Sequence, residues 1–170
     1  MPLSPLTLTN ALLSLDQPAP LSLEASAEAW FSAWWKYAQE MSYWNPALLP
    51  VAEAAARTAF LGFIIPAMVP NPVPLTFFLG LESAMVAAWP AASLTPGTLI
   101  PAYAPIPIAP AAYVPGILAN TLVSTVVPLG LASQFKDPPI MAIANAIAAW
   151  TPLSFVAFLP GSPPVPTPIV

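Results

Sequence analysis

From Ser83 to Phe135 the chain runs fifty-three residues without one charged side chain. Its full 170 residues carry only ten: Asp16, Glu24, Glu28, Lys36, Glu40, Glu53, Arg57, Glu82, Lys136 and Asp137. An ordinary soluble domain is about 25% charged. A folded monomer of 17.8 kDa exposes roughly 8,000 Å², so each charge here would have to serve roughly 800 Å². Monomers seldom leave contiguous apolar patches above a few hundred Å² in water. The expectation is a chain that covers its apolar surface with neighbouring protein.

Mean hydropathy of +0.75 raises the membrane as a rival. A spanning helix needs about twenty apolar residues. The longest stretches free of both charge and proline, 116–127 and 140–151, hold twelve each, or roughly 18 Å of helix. The charge-free run 58–81 is interrupted by Pro66, Pro70, Pro72 and Pro74, which break a single helix. A membrane is therefore disfavoured as a partner, and the basic face of an interfacial helix is missing as well. The opening Met1-Pro2-Leu3-Ser4-Pro5 lacks the basic region and unbroken apolar core of a signal peptide.

Along the chain, residues 1–21 read as an extended N-terminal arm, with leucines scattered among Ser, Thr and Pro. A helix is expected over 23–44, capped by Ser22. Ala27, Trp30, Trp34, Tyr37, Met41 and Trp44 make one face, opposite the row Glu28, Ser32, Lys36 and Glu40. Asn45-Pro46 opens a second helix, to about 65 and stopping before Pro66, with Pro50 as the alternative first-turn proline. Glu53 and Arg57 sit in it as an i, i+4 pair. A third helix, 75–89, ends at Pro90. The proline-rich stretch 90–115 cannot be helical and is expected to be extended and pressed against protein. Residues 116–127 form a helix with the uncharged polar face Asn120, Thr121, Ser124 and Thr125. Asp137-Pro138-Pro139 starts a helix to Trp150 that is expected to be buried all round. Residues 153–159 suit a short strand within an extended arm, 152–170. The fold class is mainly α: a core of four to five short helices, 22–151, with a proline-rich insertion at about 90–115 and extended proline-rich arms at both ends.

The inventory for chemistry is thin. There is no histidine and no cysteine, so the usual neutral-pH base and thiolate metal ligands are lacking. Seven acids and no Gly-rich phosphate loop or Gly-x-Ser-x-Gly elbow point away from an enzyme and from any metal or other cofactor. The close carboxylate pair Glu24 and Glu28 reads as a solvated first helical turn. Three basic residues against a net charge of −4 exclude a phosphate-binding surface, so nucleic acid is not a direct ligand. The distinctive feature is aromatic. Trp and Tyr are favoured both in cores and as interface anchors. The residues assigned to a partner interface are Trp30, Phe31, Trp34, Trp35 and Trp44, joined by Tyr103, Ile106, Tyr113, Val165 and Ile169 of the proline-rich segments.

The order of these segments resembles a known class. The helix with Ala29-Trp30-Phe31-x-Ala33-Trp34-Trp35 precedes an Ala-rich helix, then a Phe/Leu-rich helix ending in Ala87-Ala88-Trp89. A proline-rich stretch, an Ala-x-Ala-x-x-Ala-Trp helix and a Pro/Gly/Val tail follow. Together they resemble the small Ala/Pro-rich, low-charge structural proteins of tailed bacteriophages, of tail, baseplate or neck type. That resemblance implies a virion component in multiple copies, packed by apolar and proline-rich surfaces against other virion structural proteins in a symmetric assembly, with a capsid position as the variant. The alternatives are a membrane-associated protein of a lipid-containing particle and a secreted carbohydrate-binding module built on the aromatic platform.

Overall fold

A computed structural model of the protein describes residues 3–15, 20–41, 44–68, 73–93, 96–99, 115–129 and 137–151, together with the backbone of 106–109, 155–158 and 165–168. The fold is mainly α. Six helices occur among the described residues: α1 (Pro5–Leu13), α2 (Leu23–Ala38), α3 (Leu49–Ala67), α4 (Pro74–Ser93), α5 (Ile117–Val126) and α6 (Asp137–Trp150). Single 3-10 turns, Pro46–Leu48 and Val127–Leu129, precede α3 and follow α5.

Each helix packs on its sequence neighbours, and α6 returns to α1, so the six close into a ring. Alanines make the close approaches: Ala27, Ala52, Ala56, Ala84, Ala88 and Ala144 are fully buried. α3 and α4 form the tightest pair. At Gly80 a Cβ would stand 2.1 Å from the Ala67 Cβ, a separation no methyl group tolerates. Glycine is therefore what lets these two helices touch.

Local signals place several ends as the sequence predicts. The Ser22 hydroxyl accepts from the Ala25 N–H at 3.1 Å, an N-cap. Asn45 Oδ1 accepts from the Ala47 N–H, and both Pro46 and Pro50 are used, one opening the 3-10 turn and the other the first turn of α3. The polar face of α5 is exposed, its Thr121, Ser124 and Thr125 hydroxyls donating to carbonyls one turn back.

Other expectations are corrected. Residues 5–13 of the N-terminal arm are helical, not extended, with Leu8, Ala11 and Leu12 buried. α2 ends at Ala38 rather than at 44. Beyond it the Trp44 indole N–H folds back to donate to the Ala38 carbonyl at 2.8 Å, satisfying a terminal acceptor of the helix it had been assigned to. Proline does not stop α3 or α4. Pro66 falls in the last turn of α3, and α4 runs through Pro90 to Ser93, where Trp89, Ala92 and Ser93 are buried and the Ser93 hydroxyl donates to the Pro90 carbonyl. A proline near a helix end forfeits few backbone bonds, and burial outweighs them. α6 is not buried all round: Met141, Asn145 and Ala149 are exposed.

The proline-rich parts are partly β. Strands β1 (Ile106–Ala109), β2 (Phe155–Phe158) and β3 (Val165–Pro168) form one antiparallel sheet in the order β1-β2-β3. Its first strand lies beside α4. The expected strand within 153–159 is thus present, but it belongs to a hairpin paired with the chain's own insertion.

Candidate interaction surface

Four of the aromatic residues assigned to a partner interface are core. Phe31, Trp34, Trp35 and Trp44 are at most 5% exposed. They pack into one cluster with Phe60 and Trp89. Trp34 stands edge-on to Trp89 at 5.3 Å and stacks on Phe60 at 5.4 Å, and Trp44 stacks on Trp89 at 6.3 Å. Trp30 is half-buried, edge-on to Phe77 of α4. The physical reason is the ring: six helices packed around one centre leave a space that large side chains fill to native density. Tyr103, Tyr113 and Ile169 lie outside the described residues. For Ile106 and Val165 only the backbone is described, in β1 and β3.

Three indole N–H groups of this cluster, on Trp34, Trp35 and Trp89, are buried without a hydrogen-bond partner. An unmet buried donor costs about 1–3 kcal/mol. The edge-on Trp34–Trp89 contact offers at most a weak N–H to ring interaction in compensation.

Four of the ten charges are spent on internal joints. The Glu28 carboxylate of α2 receives a forked ion pair from Arg57 of α3, with Nε 2.8 Å from Oε2 and Nη2 on Oε1. The expected i, i+4 pairing of Arg57 with Glu53 gives way to this bond, and Glu28 holds the guanidinium pKa above its ordinary value, with Glu53 a lesser contributor. Glu40 does not pair with Lys36. Its carboxylate caps α1, accepting from the Ser4 N–H at 2.9 Å and the Thr7 hydroxyl at 2.6 Å. Glu82, 1% exposed, caps α5 from α4: Oε1 accepts from the Gly116 N–H at 3.0 Å and Oε2 from the Ala119 N–H at 2.9 Å. Gly116 sits at φ 89° with no side chain to do this itself. Neither capping carboxylate is betrayed by local sequence, because each acts on a helix more than thirty residues away.

Tyr37 is also wholly buried, its hydroxyl bonded to that of Thr151. Thr151 in turn donates to the Ile147 carbonyl, which joins α2 to the end of α6. Burial pushes the Tyr37 pKa up to about 12, with the Thr151 bond opposing and Glu40 adding to the rise.

Among the described residues no three acids gather into a metal cage. A shallow cleft of about 270 Å³ between α1 and α2 is lined by Ala11, Ser14, Leu15, Ala29, Ser32 and Lys36, among others. One lysine and two hydroxyls there assemble no acid–base pair. What the surface offers instead is apolar area. Leu6, Leu21, Phe63, Val73 and Met141 are each more than half exposed, and Leu75, Leu79, Ile117, Val127 and Leu129 more than a third. Compared with family models, with curated proteins and with solved structures, the chain matches none of them.

Proposed function

We propose that the chain is a non-enzymatic structural subunit of a multi-copy particle, of the virion type, held to other virion structural proteins by apolar and proline-rich surface. The observation that carries this reading is the ratio of surface to charge. An accessible area of 8483 Å² is shared by ten charged side chains, one of which, Glu82, is buried. Of the rest, Glu28 and Arg57 neutralise each other, and Glu40 is turned onto α1. Exposed apolar side chains fill the gap, as subunit interfaces require.

The test is the behaviour of the purified chain without detergent or partners. Sedimentation across a concentration series should show self-association. In the presence of the other structural proteins of its particle, the chain should be recovered with them and cross-link to them through Lys36. A cooperatively melting monomer at high concentration overturns the reading.

A second reading is favoured by one observation. The helices spanning Pro46–Ala67 and Pro74–Ser93 are each long and apolar enough to cross a bilayer, because their prolines fall in terminal turns. In that reading the particle contains lipid, and the chain should float with neutral liposomes. Sedimentation away from them favours the protein-packed particle.

A further inference from the structure

We propose that within the assembly the β2–β3 hairpin is exchanged between copies, each hairpin completing the sheet on β1 of an adjacent copy. The inference rests on the multi-copy reading above and names the contact through which one copy would hold the next.

Topology makes the exchange simple. All six ring helices precede the hairpin in the chain, and β1 lies forty-six residues before it, beside α4. The hairpin can leave its own β1 without displacing any ring helix. Every backbone bond it loses is recovered on an identical β1 elsewhere, so the two arrangements differ only in connectivity. This is the low-cost route to oligomers that exchanged terminal elements provide. The connection is short. Residues 152–154 separate Thr151 from β2 and reach at most about 10 Å when extended, so only a directly abutting copy can be served.

The sheet's edges close off the other β-mediated route. In an antiparallel ladder alternate residues turn their backbone groups toward the partner strand, and those between them face away. In β3 the register places Val165 opposite Phe158, Pro166 opposite Ala157, Thr167 opposite Val156 and Pro168 opposite Phe155. A proline has no N–H to give to the ladder. The bonds to β2 therefore fall to Val165 and Thr167, and the outward positions are Pro166 and Pro168. That edge has no donor to offer within the strand. β1, the opposite edge, carries Pro107 within an irregular register. Proline on an edge strand prevents side-by-side growth of a sheet. Strand addition is thus blocked on β3 and hindered on β1, which favours traded strands for copies that share this sheet.

The absence of cysteine gives the test a clean background. Ile106 pairs with Ala157 across β1 and β2, at the separation of directly opposed antiparallel residues, which a disulfide spans. Full-length chains carrying Ile106→Cys alone and Ala157→Cys alone are mixed in denaturant, refolded together, assembled and oxidised. Exchange predicts a prominent covalent dimer at twice 17.8 kDa, absent when either variant is treated by itself. The double variant should then link copies into a covalent ladder. The proposal is overturned if the mixture stays monomeric on a denaturing gel while the double variant closes internally within material that sediments as an assembly. Ala109→Cys with Phe155→Cys, the second β1–β2 pair, repeats the test should the first substitutions disturb folding. Failure of the wild type to assemble removes the subunit reading itself, and the exchange with it. Assembly with only internal bridges removes the exchange alone.

Discussion

Glu82 is the single charged residue between Arg57 and Lys136, and it is placed where a carboxylate has most to bond to, at the bare N-terminus of another helix. Two backbone N–H groups and the positive end of the α5 dipole compensate its burial. Replacing it with alanine strands both donors and leaves a void, so Glu82→Ala should lose about 2–4 kcal/mol in denaturant unfolding. Glu82→Gln, which still accepts one bond, should lose less. Amide exchange at Gly116 and Ala119 should accelerate first. A loss under about 0.5 kcal/mol for the alanine variant, the range of ordinary surface changes, would dismiss the cap. Tyr37 supplies the alkaline counterpart. Its folded pKa of about 12 exceeds the unfolded value near 10, so the folded chain binds the extra proton between those limits. The stabilisation is complete below pH 10 and falls away as pH rises towards 12, by up to about 1.4 kcal/mol per pH unit. Tyr37→Phe should flatten that part of the stability curve when compared with wild type. Equal slopes for the two chains would show that the hydroxyl is not held as described.

At the scale of elements, the α3–α4 pair depends on one missing methyl group. Gly80→Ala would press its Cβ into that of Ala67, and two helix backbones cannot yield as a flexible side chain can. Overpacking of this kind costs about 1–3 kcal/mol, against a gain of about 1 kcal/mol in helix propensity. Gly80→Val, bulkier and without that gain, should be clearly destabilised. At Gly62, where an added Cβ meets nothing, alanine should be neutral or stabilising. The opposite ranking in thermal melts would refute the close approach. Five helices were legible because their signals are local: a periodic apolar face, Ser22 or Asn45 as cap, proline in the first turn. α1 was not. Its cap is Glu40, thirty-six residues on, and its buried stripe of Leu8, Ala11 and Leu12 gains meaning only once α2 and α6 are beside it. The C-terminal strand was legible as extended chain, but its pairing with β1 is a non-local choice that period and composition do not encode. The aromatic helix was legible as amphipathic. Its destination inside the ring was not, because an excess of tryptophan looks the same whether the neighbour belongs to the same chain or to another.

For the whole molecule the question is what the exposed apolar surface does, and single charges answer it. Phe63 and Met141 are half exposed, on α3 and α6, and neither is in the buried cluster around which the ring is built. Lysine at either site keeps its long stem over the apolar neighbourhood and its ammonium in water, so Phe63→Lys and Met141→Lys should change the stability of the isolated chain by no more than about 0.5 kcal/mol. Its solubility should rise, since each substitution adds charge to a surface that has almost none. In an assembly the balance reverses. A buried phenylalanine or methionine contributes about 1.5–3 kcal/mol per interface, while an unpaired ammonium forced out of water costs several kcal/mol. That difference repeats at every copy of a symmetric particle. The variant whose residue lies at a subunit contact should therefore fold and melt as wild type yet fail to enter the particle. The measurement is incorporation by sedimentation alongside thermal melting of the free chain. Normal incorporation of both variants would place the contacts on other exposed apolar side chains, and normal incorporation after the same change at Leu6, Val73, Leu79 and Ile117 as well would remove apolar packing as the force that recruits this subunit.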